Sequence, residues 1–414
     1  MKNNLNFITF GCKLNAFETQ VMKEKAEHYN LHNFSFINSC AVTNQAVKQT
    51  RQAIRKERRE NPNNKIVVTG CAAELHPNEF MSMPEVDCII GNHEKTKLST
   101  FGNLVGIKKD ISEENIIEED TPFIKNFDNR TRAFVQIQNG CDHRCTFCII
   151  PYARGQSRSI KQEAIIRQIQ TLLDKGYNEI ILTGVDITSY GQDLNEETNL
   201  GILIKNIIKG TSNLKRLRIS SIDSIEIDND FLEVFASEKI IMPHLHLSLQ
   251  SGNDLILKRM LRRHQPKDAI AFCEKVQKVR PESVFGADLI AGFPTESDSM
   301  HESTKKHIED CNITYLHIFP YSAKEGTPAA KMPQVEKKLI QRRSKELREI
   351  GNQRLNMFLI NEVGKEKKVL VEKSGFGRTE QYAEVLIPEN NKQGELITKK
   401  IIGITKNQLM AELN

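Results

Sequence analysis

Six of the nine cysteines in this 414-residue chain fall into two groups of three, and each group suits a metal centre built on sulfur. Cys141, Cys145 and Cys148 lie in the run GCDHRCTFC, so three thiolates from one short loop can wrap a single centre. A structural zinc ion takes four ligands, often as two paired knuckles. No fourth ligand stands at knuckle spacing here, although His143 lies inside the loop. An iron–sulfur cubane held by three cysteines fits better and leaves one iron without a protein ligand. Cys12, Cys40 and Cys71 are separated by 28 and 31 residues, and each follows an apolar run: FITFGC, FSFINSC and IVVTGC.

Those runs imply the elements that must position the thiols. One strand–helix–strand unit takes ~30 residues, and the strand ends of a parallel sheet lie side by side on one edge. The three dispersed cysteines should therefore meet in space. The competing reading is three buried cysteines acting as small hydrophobes, and three matching strand ends argue against it. Three ligands again suit a cluster with an open iron. Cys88, Cys273 and Cys311 sit in apolar or helical patterns and read as structural.

The apolar runs Phe7–Phe10, Phe34–Ile37, Ile66–Val68 and Val86–Ile90 alternate with helical patterns near 18–29 and 44–60, which predicts an N-terminal parallel α/β domain over 1–109. Residues 110–129 hold seven acidic side chains and one Lys, the composition of a linker or an edge-of-domain loop. A second alternating series has candidate strands Ala133–Gln138, Glu179–Asp186, Arg216–Ser221, His244–Gln250, Val284–Ala291 and Tyr315–Phe319. Helical patterns at 163–175, 266–279 and 298–311 fill gaps between them. Six such units predict a partial (β/α)6 TIM-like barrel with its site at the C-terminal strand ends. With a trailing amphipathic helix at 334–360, this region spans 126–360. Residues 362–414 change period. Short strands at Lys368–Val371, Ala383–Ile387 and Ile401–Ile404, with turns at 374–377 and 390–394, predict a small all-β module. The fold class is α/β.

An apolar fraction of 39% places the chain outside the disordered class. The apolar run at the N-terminus is too short for a secretory signal, and no window reaches the ~20 apolar residues of a membrane span. The expectation is a cytoplasmic protein with no membrane partner, where clustered cysteines mean metal or catalysis rather than disulfides. Net charge is +5, with six basic side chains in 44–60 and eight in 331–360. Each stretch fits a solvated helix face; two in one chain point to a polyanion.

The compact spacing, Cys-x3-Cys-x2-Cys after a strand that opens a partial barrel, resembles the radical S-adenosylmethionine superfamily. There the open iron chelates the amino and carboxylate groups of S-adenosylmethionine, and an electron breaks a carbon–sulfur bond to give a 5′-deoxyadenosyl radical. Over nearly its whole length the chain also resembles the methylthiotransferase family. The resemblance runs through GCKLNAFET, NSCAVTNQA, VTGCAAE, GCDHRCTFCIIPYARGQSRS, LTGVDITSYGQDL, HLHLSLQSGND, GADLIAGFPTE and FPYSAKEGTPAA. It implies two 4Fe-4S clusters, S-adenosylmethionine, an external electron donor of the flavodoxin or ferredoxin type, and a C-terminal TRAM-like module that binds RNA. It also implies sulfur insertion at carbon 2 of an adenine in tRNA. That carbon carries a non-acidic hydrogen and no leaving group, so the reaction needs a radical. Ala41-Val42-Thr43, Cys12-Lys13-Leu14-Asn15 and Pro151-Tyr152-Ala153-Arg154-Gly155 look like the branch acting on threonylcarbamoyladenosine. Other branches modify isopentenyladenosine or a ribosomal-protein aspartate. A non-enzymatic RNA-binding protein with zinc-bound cysteines is the rival from another class.

In such a barrel, Phe147, Asp186, Ser248, Gln250, Ile290 and Gly292 are candidates for contact with the cofactor, and Asp223 and Tyr321 are further candidates. Each residue type equally suits a strand cap, turn or core position. Threonylcarbamoyl carries a carboxylate, so its pocket should hold a cation. Arg154 is the first candidate and Arg144 the second; Arg158, Arg262 and Arg263 suit phosphates, the same carboxylate or a solvated surface.

Overall fold

Extended runs of β-branched and aromatic residues account for the first sheet. In the computed structural model, which describes residues 4–104, 122–128 and 130–412, β1 (Leu5–Thr9), β2 (Phe34–Ser39), β3 (Lys65–Gly70) and β4 (Cys88–Ile89) form one sheet in sequence order. Every pairing in it is parallel. Between and after them run α1 (Lys13–His28), α2 (Asn44–Glu60), α3 (Cys71–Leu75), α4 (Pro77–Met81) and α5 (Leu98–Asn103). Apolar side chains cover both faces of the sheet. Thr9 lies opposite Asn38, and Ser39 opposite Gly70. The chain therefore leaves all three strands at one edge, at Cys12, Cys40 and Cys71.

The barrel strands are β5 (Arg132–Gln136), β6 (Gln138–Asn139), β7 (Arg158–Ser159), β8 (Glu179–Thr183), β9 (Arg216–Ile219), β10 (Ser221–Ile222), β11 (His244–Gln250), β12 (Val284–Ala291) and β13 (Ile313–Pro320). β5-β8-β9 and β10-β11-β12-β13 are parallel sheets, and Leu217 of β9 makes an isolated parallel bridge to Ile241, just ahead of β11. β6 and β7 form a short ribbon beside the mouth. The helices are α6 (Ile150–Arg154), α7 (Gln162–Asp174), α8 (Leu200–Gly210), α9 (Asn229–Ser237), α10 (Asp254–Arg259), α11 (Pro266–Val279), α12 (Asp298–Asp310) and α13 (Lys337–Glu362). Helix α1 of the first sheet packs on β5, and its Phe17 and Val21 belong to the barrel core. A helix from the N-terminal region thus covers one side of the partial barrel, and α13 lies along β13.

β14 (Glu366–Lys373), β15 (Phe376–Thr379), β16 (Glu384–Leu386), β17 (Leu396–Thr405) and β18 (Gln408–Ala411) close into a small barrel with Leu359 of α13 in its core. β15 and β18 were not among the predicted strands. Ser374 to Gly377 has turn composition, yet the chain reverses at Ser374–Gly375 and re-enters the barrel at Phe376. This module seals the base of the larger barrel. Arg216 donates to the carbonyl of Lys368 at 2.7 Å, Arg218 to that of Glu380 at 3.2 Å, and Tyr382 stacks on His244 with centroids 5.1 Å apart.

Other boundaries shift for local reasons. The strand expected to run to Asp186 ends at Thr183, because the chain turns there and the Val185 and Asp186 amides donate to the Gln138 side chain. Most of the acidic stretch 110–129 lies outside the described residues; within 122–128, Ile124 and Phe127 are buried against the barrel core. The basic run in α13 is partly internal: Arg343 is 1% exposed and pairs with Glu296, while Arg348 and Arg354 donate to the carbonyls of Ile318 and Ile313. Among the described residues, no helix is long and apolar enough to cross a membrane.

Candidate active site

Glycines let the dispersed cysteines converge. Gly11 and Gly70 precede Cys12 and Cys71 with φ of +99° and +93°, a region open to glycine. A Cβ on Gly11 would stand 2.9 Å from Cys40 Sγ, and one on Gly70 would stand 2.3 Å from the Ser39 carbonyl oxygen. Cys12 is the N-cap residue of α1 and Cys71 opens α3. Burial chiefly, together with the charges of Cys71 and Cys12, pushes the Cys40 thiol up to about 11.

The compact triad occupies the loop between β6 and α6, where the Cys148 amide donates to the Cys145 carbonyl at 3.0 Å. Burial and the neighbouring Asp186 carboxylate push the Cys141 thiol up to about 12; burial pushes Cys148 up to about 11. Metal-free, these are protonated thiols, so loading a metal centre must expel protons. Cys71 packs in one apolar cluster with Ala41 and Ile149, the sequence neighbours of Cys40 and Cys148, and α3 packs on α6, so the two triads lie on adjoining elements.

Asp186, Phe147, Ser248, Gln250 and Ile290 are grouped around the barrel mouth. Asp186 stands 3.9 Å from Cys141 Sγ and 2.8 Å from His143 Nε2. Burial opposes its charge, but His143, Thr188 and Ser189 hold the carboxyl below its usual range. Phe147 lies edge-on to Phe293, beside Ile290. Ser248 gives its carbonyl to Arg262 at 2.8 Å, and Gln250 ends β11 with φ of +64°. Gly292 is different: it lies directly against Ile340 of α13, and its amide donates to Glu296, so it serves helix packing.

Arg262 was named only as a phosphate or carboxylate contact, yet it sits at the compact loop. Its Nη1 is 3.9 Å from Cys145 Sγ, and its Nη2 pairs with Asp223 at 2.6 Å. Glu226, paired with Arg263 and 3.3 Å from His143, carried no local sequence signal. Among the described residues, the buried Arg262 Nε and Tyr321 hydroxyl have no hydrogen-bond partner. Three thiols on one loop, with a cation and unmatched polar atoms beside them, fit a sulfur cluster that also binds a polar cofactor.

Arg154 requires a correction. It is 2% exposed, and its guanidinium is taken by Glu18 through bonds of 2.7 and 3.1 Å, by Asn15 and by Asn139. Glu18 also pairs with the fully buried Lys95 at 2.6 Å. Both Nη groups of Arg154 are engaged by Glu18, Asn15 and Asn139, and Asn15 lies on the first turn of α1 behind Cys12, so Arg154 is a buried positive support beneath the dispersed triad. Arg144 is exposed and donates to the carbonyls of Cys141 and His143, and Arg158 donates to those of Gln156 and Arg154. Cys273 and Cys311 are buried beside His307 between α11 and α12, and Cys88 lies within β4, all apart from both triads.

A profile of the radical SAM superfamily matches residues 135–308, and one described as Uncharacterized protein family UPF0004 matches 4–91. A threonylcarbamoyladenosine tRNA methylthiotransferase of Rickettsia prowazekii is 44% identical, covering 100% of this chain and 99% of its own. One from Aquifex aeolicus is 34% identical, covering 94% and 98%. A tRNA-2-methylthio-N(6)-dimethylallyladenosine synthase of Ehrlichia chaffeensis is 30% identical over 98% and 92%. Among solved structures, the radical S-adenosylmethionine methyltransferase TsrM of Kitasatospora setae, with cobalamin and a [4Fe-4S] cluster bound, shares the fold. Its TM-score is 0.56 at 13% identity, covering 80% of this chain and 77% of that one.

Proposed function

This chain belongs to the radical S-adenosylmethionine methylthiotransferase family, and we propose that it adds a methylthio group to carbon 2 of threonylcarbamoyladenosine, just 3′ of the anticodon in tRNA. One observation carries the reading: two cysteine triads from different parts of the chain lie on elements that pack together, Cys71 in one cluster with Ala41 and Ile149 beside Cys40 and Cys148. Such a site can hold two 4Fe-4S clusters, one on Cys141, Cys145 and Cys148 and one on Cys12, Cys40 and Cys71. When bound, the first with S-adenosylmethionine supplies a hydrogen-abstracting radical, and the second carries the sulfur to be delivered. Electrons come from an external donor.

The protein's own groups bind and orient. Asp186 offers a carboxylate to the cofactor's ammonium or ribose, and Ile290 and Phe147 offer apolar surface to its adenine. Arg262 offers positive charge beside Cys145, where it balances thiolate and carboxylate. Arg154 and Lys95 do the same beneath the second triad, with Glu18 between them.

A basic groove supports RNA as substrate. Lys48, Arg51 and Arg55 of α2 face Lys324 across a groove of about 890 Å³, with Ala41 and Ile149 in its lining. Those two residues adjoin Cys40 and Cys148, so the groove runs to both triads. The double variant Lys48→Glu, Arg55→Glu is expected to weaken tRNA binding at least ~10-fold and to lower the salt slope by roughly two. A salt titration of tRNA affinity checks this; an unchanged slope would move the RNA path elsewhere.

The side group is tested directly. Purified, reconstituted enzyme is offered tRNA bearing threonylcarbamoyladenosine or isopentenyladenosine, and nucleosides are read by mass spectrometry. Methylthiolation of the threonylcarbamoyl form is expected. Modification of the isopentenyl form alone would overturn the choice of substrate.

A further inference from the structure

Accepting that reading leaves a charge to be matched, because the threonyl group ends in a carboxylate. The buried cations beside the two triads already have acidic partners: Arg154 and Lys95 hold Glu18, and Arg262 holds Asp223. Lys324 differs. It lies in the loop that follows β13, at the mouth end of the barrel strands. Two hydrogen bonds tie this loop to both cysteine regions. The Ala329 amide donates at 2.9 Å to the carbonyl of Thr146, which stands between Cys145 and Cys148. The Lys324 ammonium donates at 2.8 Å to Oδ1 of Asn44, at the start of α2 and just beyond Cys40. Thr327 fixes the turn, its amide and hydroxyl donating to the Lys324 carbonyl at 3.1 and 2.7 Å.

We propose that Lys324 is the specificity-determining cation that receives the substrate's threonyl carboxylate at the inner end of the basic groove. Lys324 is only 9% exposed, yet it lines the groove of about 890 Å³ together with Ala41 and Ile149, the neighbours of Cys40 and Cys148. Among the described residues, no carboxylate pairs with it, and Asn44 takes one of the ammonium's three donors. A nearly buried ammonium whose partner is a neutral amide calls for an anion. Lys48 and Arg55 in the same groove are exposed and suit backbone phosphates. The chemistry of the base points the same way. N6 and carbon 2 flank N1 on one edge of adenine, so a group hung from N6 through a urea lies along the edge to be modified. With carbon 2 placed between the triads, its carboxylate falls in the part of the groove that Lys324 lines. An apolar isopentenyl group there would leave the ammonium unmatched, which penalises the wrong substrate. Burial lowers the Lys324 ammonium to about 8, and a carboxylate partner would raise it again.

The test uses equilibrium binding to three anticodon stem-loops by the full-length, cluster-loaded protein. One loop carries threonylcarbamoyladenosine, the second the same group with its carboxylate capped as a neutral amide, and the third isopentenyladenosine. For the unaltered protein, capping should weaken binding at least ~10-fold, as when a desolvated charge pair loses one partner. Lys324→Met should lose a similar factor on the native loop and distinguish the first two loops by less than about twofold, while Lys324→Arg keeps most of the preference. The Lys48→Glu, Arg55→Glu protein should weaken all three loops by one common factor, the mark of phosphate contacts. Iron content and cluster absorbance report whether each variant retains its clusters. If Lys324→Met still prefers the free carboxylate about tenfold, or if capping leaves the parent's binding unchanged, the role of Lys324 is overturned while the proposed substrate stands. Equal weakening of all three loops by Lys324→Met would make the residue a phosphate contact and overturn the role as well. Selective loss of iron from Lys324→Met, with Lys324→Arg fully loaded, would assign the ammonium to the second cluster and also overturn it. Modification of isopentenyl tRNA alone overturns the substrate reading itself.

Discussion

Replacing Cys141, Cys145 and Cys148 by Ala is expected to abolish reductive cleavage of S-adenosylmethionine, whereas replacing Cys12, Cys40 and Cys71 should leave cleavage measurable and eliminate the methylthio product. The loss in the first variant should be on the order of a thousandfold or more, since only the compact loop places three thiols beside the groups suited to the cofactor. Asp186 is 3.9 Å from Cys141, Arg262 is 3.9 Å from Cys145, and Phe147 and Ile290 lie in one apolar cluster nearby. Beneath the dispersed triad lie Glu18, Lys95 and Arg154, all nearly inaccessible to a ligand. Anaerobic assays would follow 5′-deoxyadenosine and methylthiolated nucleoside separately, with iron content near four per chain in either variant. Full product from the dispersed-triad variant would remove that triad from the chemistry.

Local pattern carried much of this architecture. Strand–helix alternation with a ~30-residue repeat requires Cys12, Cys40 and Cys71 to share a sheet edge, and the in-register parallel pairing of β1, β2 and β3 places them there. The compact loop was equally readable, because its ligands are neighbours in sequence. Relations between distant residues were not. Arg154 carries the same letter whether it meets a substrate carboxylate or Glu18, which is 136 residues away. Glu226 lies in an ordinary polar stretch and becomes notable only beside His143 and Arg263. The role of α1 as part of the barrel wall was hidden for a related reason. Its apolar face, with Phe17 and Val21, has the same period whether it covers its own sheet or another domain's strand. The basic run of α13 misleads in the opposite direction, because Arg343 lies inward against Glu296.

Glu18→Ala is expected to destabilise the protein more than any other single substitution in this buried polar network. Glu18 is 1% exposed and is the common partner of Arg154 at 2.7 Å and Lys95 at 2.6 Å. Removing it leaves two desolvated cations without a counter-charge, a change of about 3–5 kcal/mol when a buried pair is broken from one side. Burial alone would raise the Glu18 carboxyl, but Arg154 and Lys95 reverse that and hold it at about 2. The depressed value fixes the sign of the pH dependence: the contribution is complete above the unfolded value near 4.5 and disappears as pH falls towards 2. Arg154→Met should cost less, because Glu18 keeps Lys95 as its partner. For a chain of this size, a melting temperature lower by roughly 3–6 °C is expected for Glu18→Ala, together with poor retention of iron at Cys12, Cys40 and Cys71. That second effect separates a support beneath the cluster from a generic core position: Phe235→Ala, in a distant part of the barrel core, should lower the melting temperature without selective loss of those irons. Thermal melts at neutral pH and iron analysis of the compact-triad Ala variant, with and without Glu18→Ala, read both effects. A Glu18→Ala protein that melts within about 1 °C of the parent and keeps its full iron would show that the two cations find other partners, and that the dispersed triad does not depend on this network.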